Sequence, residues 1–450
     1  MNYSDKYEKS LKILCDEYKK NNYIEPSLYE KYDIKRGLRN ADGSGVMTGI
    51  TNICCVHGYI ISEGEKTAIP GELIYRGYNI DDLVSGKPKR YGYEEIVYLL
   101  LFGQLPNKEQ LESFTGVLAE SRELPDGFFI DHILKTPSKN IMNKMASSLL
   151  TLYTYDENPE DLSMLSEIQR AMQIIARMPR IMVNAYSVKR SVYDKDSLIM
   201  HQNNPTESIA ESILSSIRKD KSYTSEEANM LDLCLMVHAE HGGGNNSTFS
   251  CRVLTSTETD TYSAYSAAIS SLKGPKHGGA NIKVANMLEF AKSEIANWEN
   301  DDEVADFLSR IIRKETGDKS GLVYGMGHAI YTLSDPRAKI IKENALKLAK
   351  GKEIEKEFML LDAIERLTPE VFEKEKGSKK HMCANVDMYS GLVYRMLGIP
   401  DELYTPIFAV SRMAGWCAHR MEELYTGKRI IRPAYKAVTT QREYKSIEER

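Results

Sequence analysis

Thr224–Gly244 reads TSEEANMLDLCLMVHAEHGGG. Thr224 with Glu227 three residues on is a capping-box pattern, which opens a helix by satisfying two free backbone N–H groups at once. The following stretch, Met230 to Val237, is apolar at nearly every position. A helix apolar on all sides offers water no face and must lie inside other helices. Gly242 to Gly244 then end it. The same signals recur along the chain. Asn107 with Gln110 is a second capping box, and Asn300 with Glu303 opens a third helix. There Val304, Phe307, Leu308, Ile311 and Ile312 fall at i, i+3, i+4, i+7 and i+8. Asp335-Pro336, Thr368-Pro369 and Thr405-Pro406 each place a capping side chain before proline at a first helical position. Strand signals are confined to Val56–Ile80, enough for a small hairpin or two. The lack of regular alternation of strands and helices argues against a doubly wound sheet. The expected fold is all-α with a little β near the N-terminal third.

The chain has 450 residues, 42% hydrophobic and 27% charged, the make-up of a folded protein with room for a second lobe. A net charge of −5 leaves no basic footprint for nucleic acid. The longest apolar run, Ile96 to Phe102, is too short to cross a bilayer. The first twenty residues carry both charge signs and lack the features of a secretory or mitochondrial leader. The seven cysteines form no CxxC and read as thiols. A cytoplasmic protein without membrane contact is expected. Residues 1–36 read as a charged N-terminal extension. Lysine-bearing stretches at 314–319 and 374–380 flank helical pieces. They suggest a smaller lobe, 278–391, inserted into a larger helical body, 37–277 and 392–450. Unusual residues gather at both ends of that insert, as a cleft between lobes requires.

In GPKHGGANIKVANML (274–288), His277 stands among glycines where the pattern turns helical. Glycines permit close backbone approach, and the field of a helix N-terminus disfavours imidazolium, so a neutral donor imidazole is expected. His238 and His241 are three apart on what reads as the last turn of the buried helix. Their H-x-x-H beside Glu240 is half a zinc pattern, but no H-E-x-x-H and no second His/Cys cluster complete it, so no metal is expected. His238 reads as a core histidine bonded to carbonyls, whereas His241 points into a glycine loop. His328 follows glycine in YGMGHAIYTLSDPRAKI (324–340). Arg337 stands in the first turn of a helix, where the macrodipole disfavours a cation, which implies an anion such as a carboxylate beside it. Asp387 precedes an apolar helical run in CANVDMYSGLVYRML, where a lone aspartate is ordinarily an N-cap. Arg412 lies within the apolar stretch 407–416, a costly burial unless a carboxylate meets it. Arg432, in KRIIRPAY, lies on an extended piece able to reach a neighbouring subunit. Several arginines suit a substrate with two or more carboxylates, and neutral histidines with a carboxylate suit proton removal beside a carbonyl. Dinucleotide, Walker and G-x-S-x-G motifs are missing, which lowers redox, nucleotide-hydrolysing and acyl-serine chemistry.

The blocks GLRNADGSGVMTGITNI, ELIYRGYNIDDLV, YEEIVYLLLFGQLPNKEQL, HAEHGGGNNSTF, YSAAISSLKGPKHGGAN, GMGHAIYTLSDPRAKI, NVDMYSGLVYRMLGIP and RIIRPAY together resemble the citrate synthases. They stand in family order from about residue 37 to 435. The resemblance implies a two-lobed helical fold and a homodimer with shared active sites. It implies an acyltransferase that condenses acetyl-CoA with oxaloacetate and water to citrate and CoA through an enol. A 2-methylcitrate synthase using propionyl-CoA is the close variant. By resemblance, Asp387 is the base, His277 stabilises the enol, and His328 polarises the ketone. His241, Arg337 and Arg412 bind the dicarboxylate, and Arg432 serves the partner's site. No cofactor or metal is implied. The family pattern fails at Thr332, where a basic residue is usual, at Tyr324 in place of proline, and in KGSKKHMC (376–383). Lys379 and Lys380 there are expected to meet CoA phosphates.

Overall fold

The structure is a computed structural model that describes every residue except 1–4, 63–64, 86–89, 329 and 378–381. The chain divides into two units, Met1–Ile50 and Thr51–Arg450. In the first, α1 (Asp5–Asn21) and α2 (Ser27–Lys31) bury none of their residues.

The second unit begins with the expected hairpin. Strands β1 (Cys54–Ser62) and β2 (Glu65–Tyr75) pair antiparallel, and β3 (Tyr78–Asn79) adds to β2. Gly58 stands where the register shifts between His57 and Tyr59. Helices make up the rest: α3 (Ile80–Val84), α4 (Gly92–Phe102), α5 (Lys108–Glu120), α6 (Ile141–Thr151), α7 (Met164–Tyr193) and α8 (Ile209–Ile217). They continue as α9 (Ser225–His238), α10 (Asn246–Thr255), α11 (Thr261–Lys273), α12 (Ala280–Glu294) and α13 (Asp301–Ile312). The last are α14 (Pro336–Ala349), α15 (Glu355–Lys376), α16 (Asp387–Met396) and α17 (Tyr404–Thr426). The protein is all-α with one small sheet, as the sequence reading expects.

The local signals close as expected. Thr224 Oγ1 accepts the Glu227 N–H at 3.2 Å while the Glu227 carboxylate accepts the Thr224 N–H at 2.9 Å. Asn107 and Gln110 do the same at the start of α5. The α13 stripe, Val304 to Ile312, is buried at every expected position. Both α9 and α17 are buried nearly all round, which removes their apolar area from water, roughly 25 cal/mol per Å². Asp232, the one charge in the apolar α9 run, accepts the N–H of Tyr93 at 3.2 Å and so caps α4.

Three expectations need correction. Thr368-Pro369 does not start a helix: Pro369 lies inside α15, and the buried Thr368 hydroxyl donates to the Ile364 carbonyl at 2.5 Å. Thr405 does not cap α17, which begins one residue earlier, because its hydroxyl donates to the Gly278 carbonyl at 2.9 Å. And α9 stops at His238 rather than at the glycines, so His238 and His241 do not share a helix face. The Tyr75 hydroxyl from β2 lies 2.9 Å from the Glu240 carbonyl and 3.3 Å from those of Met236 and Val237. Arg412 Nε donates to the His238 carbonyl at 2.7 Å. With its last carbonyls so satisfied, the helix has no need to continue.

Candidate active site

His277 lies in the turn between α11 and α12, ahead of the helix and not on its first turn as expected. The Gly278 N–H bonds the Leu272 carbonyl at 3.0 Å, folding this turn back on the end of α11. A methyl on Gly278 would overlap that carbonyl, and one on Gly279 would stand 2.9 Å from the Pro275 carbonyl. The two glycines are therefore required by close approach. His277 Nε2 lies 3.2 Å from Ser247 Oγ, whose hydroxyl donates to Asn245 Oδ1 at 2.8 Å and accepts from Trp416 Nε1 at 3.3 Å. One hydroxyl proton thus faces two acceptors. Given to Asn245, it leaves the His277 ring proton on Nε2, donating to Ser247 Oγ; given to His277, it leaves that proton on Nδ1. Burial, aided by Arg412, pushes the His277 pKa down to about 4. The ring is neutral at any ordinary pH.

The chain segments that lead into His328 and Asp387 are stitched to each other. The Gly327 N–H donates to the Cys383 carbonyl and the Asn385 N–H to the Gly325 carbonyl, both at 2.8 Å. Asn385 Nδ2 adds a bond to the Gly327 carbonyl at 2.9 Å, while its Oδ1 accepts the Asp387 N–H at 3.0 Å. Asn385, not Asp387, caps α16, so the Asp387 carboxylate is not spent as a cap. Burial raises its pKa to about 6 against the pull of Arg337 and Arg412. The Ile330 and Tyr331 N–H groups both point at His328 Nδ1, each at 3.1 Å, which places the ring proton on Nε2. Tyr331 stacks on His328 with centroids 4.7 Å apart. It is fully buried, and its hydroxyl donates to the Glu72 carbonyl. Gly58 and Gly71 leave it room, since a methyl on Gly58 would meet the Ile330 carbonyl at 2.8 Å. The small sheet is the wall behind these rings.

His241 joins the cluster from beyond α9, with its ring 5.1 Å from that of His328 and 5.6 Å from that of Tyr331. Burial, then Arg337, hold His241 well below the usual histidine range. His238 is pushed the same way, and neither ring nitrogen of His238 has a hydrogen-bond partner among the described residues. The carbonyl bonds expected for it are not made.

Arg337 is 3% exposed and Arg412 0%. The anion implied beside Arg337 exists in the chain: Asp335 takes Nε at 3.0 Å and Nη2 at 2.7 Å. Asp335 also caps the helix by accepting the Arg337 N–H at 3.0 Å, so one carboxylate answers both a free N–H and the misplaced cation. Arg412 differs. Only Nε is bonded, the guanidinium lies 4.8 Å over the Phe408 ring, and neither Nη1 nor Nη2 has a partner among the described residues. Glu240 lies near enough to act on it electrostatically, but its carboxylate bonds the His241 N–H at 2.8 Å and faces His419 at 3.2 Å. Two empty charged donors in a buried place make a seat for a carboxylate.

Arg432 stands exposed beyond α17, and no carboxylate pairs with it among the described residues. Lys379 and Lys380 lie outside the described residues. No group of three metal-ligating side chains occurs among the described residues, and no described helix is long and apolar enough to cross a membrane. Sequence reasoning missed Ser247, Asn385, Asp335 and Tyr331. Asp335 alone carried a local signal, its N-cap position.

Such a site, neutral imidazoles and a carboxylate beside buried arginines in a helical fold, has the groups that an enzyme needs to remove a proton from carbon beside a carboxylate-bearing substrate. The family profile described as citrate synthase, C-terminal domain, matches residues 42–434. Citrate synthase from Haloferax volcanii is 34% identical, over 84% of this chain and 93% of its own length. 2-Methylcitrate synthase 1 from Corynebacterium glutamicum is 32% identical, over 84% and 92%. A solved structure of citrate synthase from Thermoplasma acidophilum, a ternary complex with carboxymethyl coenzyme A and oxaloacetate, superposes with a TM-score of 0.75 at 28% identity. That match covers 93% of this chain and 99% of the other. The chain belongs to the citrate synthase family.

Proposed function

We propose that this enzyme condenses acetyl-CoA with oxaloacetate and water, giving citrate and free CoA. The observation that carries the reading is the pair of unpartnered, buried Arg412 nitrogens, close to Arg337, His241 and the His328–Asp387 stitch. Oxaloacetate would place one carboxylate on Arg412 and the other within reach of Arg337, with its ketone facing the His328 Nε2 proton. Asp387 would take a proton from the acetyl methyl group. A methyl beside a thioester is too weakly acidic for a carboxylate alone, so the enol oxygen must gain a hydrogen bond as it forms. His277 supplies it, because an imidazole of pKa about 4 donates without competing for the proton. The enol carbon attacks the polarised ketone, and water then cleaves the resulting citryl thioester. Movement of the 278–391 segment as a smaller lobe would exclude water from these steps.

The reading further takes two copies as a homodimer in which exposed Arg432 of each serves the other's site, and no cofactor beyond the substrates. It places the enzyme in the cytoplasm, where seven unpaired cysteines stay reduced. The C. glutamicum relative keeps a second reading open, propionyl-CoA as acyl donor. Thiol release measured with oxaloacetate and acetyl-CoA, in parallel with propionyl-CoA, tests both. Higher kcat/KM with acetyl-CoA is expected. Preference for propionyl-CoA would favour the second reading, and no release with either thioester would refute both.

A further inference from the structure

Away from these residues lies a cavity of about 460 Å³ between α3, α9 and the end of α14. Its apolar wall is formed by Leu83, Val84, Met230, Leu233, Met236 and Leu348. Lys347, Lys350 and Lys352 line the same cavity. All three are exposed, and none has an ion-pair partner among the described residues. Lys347 is explained in part by the macrodipole, as a cation in the last turn of α14. Lys350 and Lys352 lie past the helix on either side of Gly351, whose φ of +77° turns the chain back. Of the two carboxylates on the lining, Asp232 is engaged with the Tyr93 N–H, which leaves the exposed Glu226 against three lysines. Asn229 adds an amide with no partner among the described residues. A volume within the range of small-molecule sites, an apolar wall and a cationic edge together select one ligand chemistry.

We propose that this cavity binds an amphipathic small anion, an apolar or aromatic body carrying a phosphate or carboxylate, and couples it to the active site. The body lies against Met230, Leu233 and Leu348 and the anionic group reaches the lysines. Two of the helices that line the cavity, α9 and α14, run to residues of the candidate site. The far end of α9 leads to His241, and Arg337 stands about 15 Å along α14 from Lys347. α14 packs directly on α9. A ligand held by both helices fixes how their other ends stand to each other, and hence the seat shared by His241 and Arg337.

Calorimetric titration of the full chain with 1-naphthyl phosphate tests the site, with 1-naphthoate as the carboxylate arm and neutral 1-naphthol as control. One site per chain is expected, at least tenfold tighter for an anion than for naphthol and not displaced by oxaloacetate with CoA. Lys347→Glu with Lys350→Glu should weaken binding at least tenfold and keep ligand-free turnover within twofold. Leu233→Trp, from a half-buried position, should abolish binding by filling the cavity. Should that variant fail to fold, the lysine pair decides. No heat at millimolar ligand, undiminished binding to the lysine variant, or displacement by the substrates would overturn the site. The coupling rests on oxaloacetate being the substrate, whereas the titration does not, so the two failures are distinguishable. Saturating 1-naphthyl phosphate should change oxaloacetate affinity at least twofold in the wild type only, and an unchanged affinity would overturn the coupling.

Discussion

Replacing Arg412 with Met separates binding from folding. In the unliganded protein two buried guanidinium nitrogens lack partners, and each such group costs about 1–3 kcal/mol. Methionine removes that cost while keeping most of the apolar stem. Against this stand the Nε bond to the His238 carbonyl, worth about 1.5–3 kcal/mol, and the attraction of Glu240. The terms nearly cancel, so unliganded stability should stay within about 2 kcal/mol of wild type. Binding has no such compensation. A substrate carboxylate that loses its buried partner costs about 2–5 kcal/mol, roughly 30- to 5,000-fold in oxaloacetate affinity. Differential scanning fluorimetry with and without oxaloacetate reads both quantities. At a hundredfold excess over its Kd the ligand stabilises the wild type by about 2.7 kcal/mol, and the variant should gain no more than about 0.9 kcal/mol at the same concentration. Oxaloacetate affinity within threefold of wild type would refute the carboxylate seat. A collapse of the unliganded Tm would refute the claim that Arg412 is a burden to the empty fold.

Asp387→Asn should lower kcat by about 10²- to 10⁴-fold while oxaloacetate still binds, as expected for a lost base. In the wild type, kcat/KM should fall as pH drops through about 6, where Asp387 protonates. His277 cannot cause that limb, because it stays neutral down to about 4. The folded-state pKa of Asp387 is raised, so its contribution to stability is present in full below the ordinary aspartate pKa and lost as pH rises through about 6. Asp387→Asn should accordingly raise the unliganded Tm at pH 8 and leave it unchanged at pH 3, by scanning calorimetry. Ser247→Ala should lower kcat at least tenfold with little change in oxaloacetate KM, since it frees the His277 tautomer without touching the carboxylate seat; steady-state kinetics decide it. Gly278→Ala should cost about 1–3 kcal/mol through overlap with the Leu272 carbonyl, read as a lower Tm and displaced His277 chemistry. Mixed dimers of His277→Ala and Arg432→Ala chains should regain activity that neither has alone, and verified mixed dimers without rescue would count against a shared site.

Short-range signals were legible because their physics closes within about four residues. The Thr224 and Asn107 capping boxes, the Asp335–Pro336 helix start, the α13 stripe and the hairpin after Val56 all formed where the pattern placed them. His241, His277, His328, Arg337, Asp387 and Arg412 stood out in the sequence too, as polar groups in glycine-rich or apolar places where local rules give them no partner, whereas Ser247, Asn385 and Tyr331 did not. Which partners such polar groups take was decided only by packing. Thr405 and Thr368 kept the look of caps, but a carbonyl offered by another turn or by the same helix took each hydroxyl instead. Arg337 implied an anion, and its own N-cap supplied one; Arg412 implied an anion, and the fold brought Glu240 near without bonding it to either Nη. The end of α9 depends on Tyr75, more than 160 residues away along the chain, and the His328–Asp387 stitch on Asn385, 58 residues from Gly327. A hydrogen bond between distant segments leaves no spacing to read, because its geometry is decided by how whole helices pack and not by the residues that lie next to it in the chain.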